Sequence, residues 1–404
     1  MISSTHNDPE SPTYQPRRFT DTSEGLTRLA RLKRVYHRYF VIGGDSYIDV
    51  VFGVLFAFRL YTEPVWVYLI GPPSRGKNEL LEAIASDTKQ VFVIDRITAR
   101  TLVSGMKRKT GKDPSLLPHI LGKTLLIKDF TTLLSGRRET LTEICGQLRS
   151  IYDGRYDSGY GTGARKSYTG KLGLIAGVTD AIDKHQHILT PLGERFLYYR
   201  MPQVTEAEEF ERCQRTQMNM DVAAQKAALA RAAFHVLANP VAEPPAVSST
   251  FTAEITRLGL FIAKARHTSA EDPYTHEPDI ADREIATRVT KQIRSLACGI
   301  AMAREHSFVT RDDMDLLRHV AFHCMPVRRK KILDFVVANW PDYVETIDIA
   351  NHLRCNPGVV VRWLWELYRV RLIKQRKEDR PDARYASYSW RLAKDILLSL
   401  RVKS

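Results

Sequence analysis

A glycine-rich segment, Gly71-Pro72-Pro73-Ser74-Arg75-Gly76-Lys77-Asn78, has the residue types and spacing needed to bind phosphate groups. It follows an apolar run at residues 65–70 and precedes a helical pattern that begins at Glu79. A loop between a strand and a helix directs backbone amides and the positive end of the helix at one point, and Lys77 reaches the β- and γ-phosphates. The segment from Gly71 to Glu79 therefore predicts a nucleotide site.

The residue after the lysine departs from the common pattern. Serine or threonine usually stands there and holds Mg²⁺ through its hydroxyl, whereas this chain has Asn78, whose amide oxygen is a weaker ligand. Asp129 follows an apolar run at 125–127, where an acid that holds Mg²⁺ or activates water belongs. Comparable sites carry two acids, but here Lys128 precedes Asp129, and a turn or cap role for Asp129 stays open. We expect ATP and Mg²⁺ as cofactors, with Asn78 and Asp129 as metal ligands.

Apolar runs predict the sheet that must position these residues. They begin at Val91, Thr124, Leu172 and Phe196, are apolar on both faces, and alternate with helical stretches. This pattern is typical of a parallel sheet covered on both sides, so we predict an α/β fold with its sheet within residues 63–203. Thr179 ends the third run, where a residue that contacts the γ-phosphate is usual.

Two arginines complete the predicted catalytic set. Arg195 precedes the last apolar run, and in ring ATPases an arginine so placed reaches into the neighbouring subunit's site. The predicted catalytic residues are thus Lys77, Asp129, Thr179 and Arg195. Arg288 is predicted to approach the phosphates from a helical region. A surface position on a helix is the alternative for either arginine.

The remaining segments predict a multidomain organisation. Residues 1–25 are expected to be a flexible tail, 26–62 an N-terminal helical segment, 63–203 the nucleotide-binding core, and 204–325 a helical lid. Residues 326–404 carry three helical patterns and a basic hairpin, which together predict a winged helix, a variant of helix-turn-helix. Its expected DNA contacts are Arg362, Arg369, Lys374, Arg376 and Lys377. A small helical cap without a ligand is the alternative for these last residues.

Composition bears on partners and compartment. The 404 residues include 60 Lys and Arg against 46 Asp and Glu, a net charge of +14. A basic nucleotide-binding protein often handles nucleic acid, because phosphate contacts dominate that binding, although charge alone also fits a merely basic soluble protein. The five cysteines are scattered without metal-ligand spacing, which suits a reducing cytoplasm. No run is long enough to span a membrane, so we expect no membrane partner.

The order of these motifs resembles that of AAA+ ATPases of the branch that contains the MCM replicative helicases. It is most similar to the MCM-like ATPases and presumed helicases of bacterial phages, plasmids and genomic islands. The likeness rests on four strings, at residues 71–77, 127–132, 147–154 and 193–196. The resemblance implies a P-loop AAA+ core with a helical lid, a homo-hexameric ring, and work on DNA in the replication of a mobile element.

The family also implies a hairpin that projects into the central channel, just before the strand that ends at Thr179. Residues 155–171 stand at that position and interleave basic and aromatic side chains, which suits a nucleic-acid backbone and its bases. The predicted DNA contacts there are Arg165, Lys166, Tyr168 and Lys171. A solvated surface loop would have a similar composition.

Two functions follow from this reading. The first is an ATP-dependent DNA helicase or translocase. The alternative is an ATP-switched DNA-binding assembly or recruitment factor that unwinds nothing and engages partners such as a primase. Asn78 and the single acid Asp129 favour the alternative, whereas the hairpin and Arg195 favour the motor. A protein-remodelling ATPase has less support, because no exposed aromatic between apolar residues follows the run that begins at Val91.

Overall fold

The computed structural model describes residues 25–60, 62–73, 76–106, 113–161, 163, 165–185, 192, 195–218, 221–239, 243–266, 286–378, 387–394 and 396. They divide into two compact units. The sheet unit comprises the described residues of 16–251 and 291–317, and the C-terminal unit those of 252–290 and 318–404. The predicted boundaries at residues 203 and 325 stay predictions.

The described strands are β1 (Trp66–Ile70), β2 (Val91–Ile94), β3 (Thr124–Ile127), β4 (Arg155–Gly159), β5 (Arg165–Thr169), β6 (Gly173–Val178), β7 (Phe196–Arg200), β8 (Val344–Glu345), β9 (Ile373–Glu378) and β10 (Ser387–Leu392). Five of them form one parallel sheet in the order β2-β3-β6-β1-β7. The α/β class and the parallel sheet within residues 63–203 are therefore confirmed.

The described helices of the sheet unit begin with α1 (Arg28–Tyr39), α2 (Ser46–Phe58), α3 (Lys77–Ile84), α4 (Ala99–Leu102), α5 (Leu117–Ile120), α6 (Thr131–Leu134) and α7 (Arg138–Tyr152). A 3₁₀ helix, Asp180–Lys184, precedes α8 (Glu206–Met218) and α9 (Val222–Leu237). The later helices of the chain are α10 (Ser249–Arg266), α11 (Thr287–Ala303), α12 (Arg311–His323), α13 (Val327–Ala338), α14 (Thr346–Leu353) and α15 (Pro357–Arg369). None of the described helices has the length and apolar character needed to cross a membrane.

Strand β1, which lies between β6 and β7, is buried along its whole length, which is why its sequence is apolar on both faces. On one face, Tyr68 stacks on Phe196 of β7 with ring centroids 3.9 Å apart. On the same face, the indole Nε1 of Trp66 donates to the carbonyl oxygen of Leu172 at 2.7 Å. These buried aromatic contacts fix β1 against its neighbours, and thereby the loop that follows β1.

The N-terminal segment, predicted to be helical over residues 26–62, contains two helices. They are α1 and α2, and residues 40–45 join them. A buried ion pair holds the two together, because the ammonium of Lys33 lies 3.1 Å from Asp45 Oδ1 and also contacts Asp49. Twelve of the thirteen residues of α2 are buried, which accounts for its apolar sequence.

Asp49 also pairs with an arginine from a later part of the sheet unit. Arg304 Nε lies 2.8 Å from Asp49 Oδ1, and its Nη1 lies 2.8 Å from Asp313 Oδ1. The side chain of Asp313 is fully buried and also accepts hydrogen bonds from Thr310 and from His306. Burial alone would raise the pKa of Asp313, but these bonds and the charge of Arg304 outweigh it and lower that pKa.

We expect Asp313→Asn to lower the free energy of unfolding by about 3 kcal/mol at neutral pH, because it leaves buried Arg304 partly uncompensated. A lowered folded-state pKa means that the contribution is complete above the ordinary aspartate pKa of about 4 and is lost as the pH falls through the lowered value. Urea unfolding at pH 7 and pH 3 measures both effects. The adjacent exposed residue provides a control, Asp312→Asn. An equal loss in both variants, or a gap between Asp313→Asn and wild type that widens in acid, would contradict this account.

The last described residues of the C-terminal unit form a helical group with a three-stranded antiparallel sheet. The sheet order is β8-β10-β9. Trp390 of β10 is fully buried, and Trp365 of α15 meets it edge-on at 5.5 Å between centroids. Asn356 caps α15, since its side-chain oxygen accepts from the amide of Gly358 at 2.8 Å. The short strand β8 was not predicted, and the tip of the predicted hairpin, residues 379–386, lies outside the described residues.

Candidate nucleotide site

The strand order brings the predicted site segments to one edge of the sheet. In a parallel sheet all carboxyl ends lie at the same edge, and here β6 lies between β1 and β3. The amide of Gly71 donates to the carbonyl oxygen of Val178 at 3.0 Å, and that of Phe130 donates to Gly177 at 2.8 Å. The glycine-rich loop and the Asp129 segment therefore lie on either side of Thr179, which follows β6.

The loop ends in a residue that requires glycine. Gly76 has a φ of 78°, in the left-handed region, and is the residue that caps α3. Since glycine has no side chain to satisfy the first amides of α3, those amides are suited to an anion. Pro72 is half-buried, Pro73 is exposed and Glu79 is half-buried, while Ser74 and Arg75 lie outside the described residues. This end of the loop fits the phosphates of a nucleotide.

Lys77 is the first residue of α3, and its side chain is folded into the loop. The residue is only 7% exposed, and its ammonium donates to the carbonyl oxygens of Gly71 and, at 3.3 Å, of Val178. The ammonium is therefore held at the edge of the sheet between β1 and β6. A phosphate bound in the loop would lie beside this positive charge.

Asp129 and Thr179 are linked through a third residue. The amide of Thr131 donates to Asp129 Oδ1 at 2.9 Å, and the hydroxyl of Thr131 accepts from the amide of Thr179 at 3.0 Å. Asp129 itself is exposed. The sequence reading gave Thr131 no role, although it lies two residues after the predicted acid. Its hydroxyl therefore links the segment that carries Asp129 to the residue that follows β6.

Lys128 stands beside Asp129, where comparable sites carry a second acid, and it has two acidic partners. Lys128 Nζ lies 2.8 Å from Asp95 Oδ1, at the end of β2, and 3.5 Å from Glu82 Oε1 of α3. Glu82 also bonds Lys226 of α9 at 3.1 Å. The bond to Asp95 is the main reason that the pKa of Lys128 is raised, and the bond to Lys226 is the main reason that the pKa of Glu82 is lowered. The carboxylates of Asp95 and Glu82 are therefore engaged by ammonium groups.

The two metal ligands predicted from the sequence remain predictions. Asn78 and Asp129 are both exposed, and one carboxylate with an amide oxygen suits Mg²⁺, which proteins commonly hold through one or two carboxylates together with phosphates and water. Within the described residues, no group of three or more His, Cys, Asp and Glu side chains could hold a metal ion by itself. The donor set thus fits Mg²⁺ only when phosphate oxygens complete it.

The side chain of Arg195 is buried and makes its contacts within its own chain. It is 3% exposed, its Nη2 lies 2.9 Å from Asp153 Oδ2, and its Nη1 donates to the carbonyl oxygen of Leu192 at 2.7 Å. The guanidinium also lies 5.3 Å from the ring centroid of Tyr152. Asp153 belongs to the string at 147–154 that carries the family resemblance, but no bond to Arg195 was expected. Contact with a neighbouring subunit stays a prediction, and it requires the guanidinium to leave Asp153.

Arg288 lies in the first turn of α11, within the C-terminal unit. Its predicted approach to the phosphates stays a prediction.

The segment before β6 is a hairpin, as the resemblance implied. Strands β4 and β5 are antiparallel neighbours. Among the four predicted DNA contacts, Arg165 is exposed, whereas Lys171 donates to the carbonyl oxygen of Thr62 at 3.0 Å. Lys166 lies 2.8 Å from Asp113 Oδ1, and the hydroxyl of Tyr168 donates to the same carboxylate. The hairpin is therefore tied to the segment before α5, and its free cationic surface is smaller than the sequence suggests.

The predicted basic side chains of the C-terminal unit lie on its surface. Buried residues of α15 form one stripe, consisting of Val360, Leu364 and Leu367. Arg362 and Arg369 lie off this stripe and are exposed, as side chains that contact DNA must be. On β9, Lys374, Arg376 and Lys377 are also exposed, and the guanidinium of Arg376 lies 4.5 Å from the ring centroid of Tyr343. These five cations remain candidates for contact with phosphates.

The fold and this edge of the sheet define an α/β protein in which a glycine-rich loop joins a buried strand to a helix. No protein-family model matches the sequence, and no curated protein matches it either.

Proposed function

We propose that this chain is an ATP-hydrolysing AAA+ protein of the MCM-like branch that works on DNA as a homo-hexameric ring. Its sheet unit is the AAA+ core, its intervening helices include the lid, and its last residues form a winged helix. The ring is a DNA helicase or translocase of a mobile element, acting in the cytoplasm. The five free thiols are consistent with a reducing compartment.

One observation carries the proposal: the sheet order brings the glycine-rich loop, Asp129 and Thr179 to a single edge. ATP binds with its phosphates at the loop and the start of α3, where Lys77 neutralises their charge. Asp129 orients the attacking water, and Thr179 donates to the γ-phosphate. Thr131 keeps those two segments in register. Magnesium, held by Asn78 and Asp129, would add positive charge at the phosphates.

The DNA part of the proposal rests on charge and topology. The helices α13, α14 and α15 with the sheet β8-β10-β9 have the element order of a winged helix. Exposed Arg362 and Arg369 on α15, with three cations on β9, present positive charge to a phosphate backbone. The hairpin of β4 and β5 adds Arg165 as a contact for a strand in the ring's channel. Lys166 and Tyr168 would have to give up their contacts with Asp113 in order to bind nucleic acid.

The second candidate is an ATP-switched DNA-binding or recruitment factor that unwinds nothing and engages a partner such as a primase. Two contacts favour it. Lys128 occupies the place of a second acid and is paired with Asp95, and Arg195 is paired with Asp153 of its own chain. Both features suit slow hydrolysis, because charge stabilisation of the transition state is reduced.

Hydrolysis and strand displacement separate the two candidates. We expect ATP hydrolysis by the full chain to rise when DNA is added, and a forked duplex to be separated in the presence of ATP. Hydrolysis that does not respond to DNA, with no strand displacement, would contradict the motor. DNA binding that strengthens with a non-hydrolysable ATP analogue under those conditions would favour the switch.

A further inference from the structure

A tyrosine from outside the sheet contacts the phosphate loop at its most constrained residue. The hydroxyl of Tyr36, on α1, donates a hydrogen bond to the carbonyl oxygen of Gly76. The side chain of Tyr36 is fully buried. A Cβ atom at position 76 would lie 2.4 Å from this hydroxyl oxygen, closer than atoms can approach, so the contact leaves room only for glycine.

This carbonyl oxygen has a second bond. It also accepts from the amide of Leu80 at 3.1 Å, which is the first backbone bond of α3. Two donors on one carbonyl fix the plane of the peptide between Gly76 and Lys77, since a peptide unit is rigid. In a trans peptide the N–H points away from the carbonyl oxygen. The amide of Lys77 is thereby held facing the loop, where a phosphate would bind.

The tyrosine is itself held firmly. Its ring centroid lies 4.7 Å from that of Phe40 and 6.2 Å, edge-on, from that of Tyr47. One turn earlier on α1, Lys33 makes the buried ion pair with Asp45 and Asp49. Burial raises the pKa of Tyr36 well above its usual range, so the hydroxyl remains a donor at any working pH.

We propose that Tyr36 is a positioning residue that preforms the phosphate loop for the triphosphate of a nucleotide. It touches no phosphate itself and acts through the Gly76 carbonyl. A preformed loop loses less conformational freedom when the ligand binds, so the hydroxyl contributes to affinity. This inference rests on the proposed nucleotide binding and assigns a part of it to the N-terminal helix.

The test compares Tyr36→Phe with a matched control, Tyr199→Phe. The control also deletes one hydroxyl, which is buried in the same unit and lies 2.6 Å from Ser46 Oγ of α2. A fluorescent ATP analogue gives the dissociation constant of each full-length variant, and thermal unfolding gives its stability. We expect Tyr36→Phe to bind about three- to tenfold more weakly than wild type, and Tyr199→Phe to bind as wild type does. Both variants should unfold at similar temperatures.

Two results would overturn the inference alone: unchanged binding by Tyr36→Phe, or equal weakening in both variants, which would indicate a general effect of buried hydroxyls. Binding by none of the three proteins, wild type included, would instead overturn the proposed nucleotide binding and this inference with it. The two failures are thus distinguishable in one experiment.

Discussion

Replacing Lys77 with alanine is expected to reduce ATP hydrolysis by about a hundredfold or more. The ammonium is buried at the edge of the sheet and held by the carbonyl oxygens of Gly71 and Val178, so it adds charge at the loop without having to reorganise. Initial rates of phosphate release at saturating ATP measure the loss. Lys226→Ala is the control, because Lys226 bonds Glu82 of the same helix from the solvent side.

A Lys77→Ala protein that hydrolyses ATP near the wild-type rate would contradict the assignment of the loop. Equal losses of hydrolysis in Lys77→Ala and Lys226→Ala would show that the effect does not depend on the position of Lys77 in the loop. Thermal unfolding of both variants separates a chemical effect from a loss of folding.

Replacing Arg195 with alanine is expected to lower the rate of hydrolysis by about a thousandfold, if its guanidinium completes a neighbouring subunit's site. The structure places that guanidinium on Asp153 of its own chain, so two explanations of a loss must be distinguished. Asp153→Asn breaks the same pair from the other side and leaves the arginine in place. A role between subunits predicts that Asp153→Asn keeps most of the activity that Arg195→Ala loses.

Mixing variants tests the same role directly. Lys77→Ala subunits keep Arg195, and Arg195→Ala subunits keep an intact loop. In a mixed ring, some sites combine a working loop with a neighbour's arginine, so hydrolysis should reappear. A mixture that remains as inactive as its components, in protein shown to form rings, would contradict a contribution from the adjacent subunit.

The sheet and the main site segments were predictable because local patterns encode them. Strands buried on both faces leave continuous apolar runs, and the last of these runs coincides with β7, Phe196–Arg200. The loop was predictable because its glycines mark it locally. Gly76 has a left-handed backbone at the start of a helix, a conformation that favours glycine. The three helices of residues 326–404 were predictable from their helical patterns. The two-residue strand β8 is too short to leave a pattern.

The partners of the site residues were not predictable, because they lie far apart in the chain. Tyr36 is 40 residues from Gly76, and in sequence it reads as one more apolar residue of an amphipathic helix. The bond between Arg195 and Asp153 joins positions 42 residues apart. Asp49 likewise pairs with Arg304, 255 residues later. Hydrogen bonds of this kind depend on which elements the fold brings together, and a single sequence carries no record of that.

Equilibrium binding of an ATP analogue to the full-length protein tests the central claim most directly. Titration calorimetry over a range of magnesium concentrations should give saturable binding of one nucleotide per chain, and Lys77→Ala should weaken it. The absence of binding by the wild-type chain at every magnesium concentration would contradict the account, for the motor and for the switch alike.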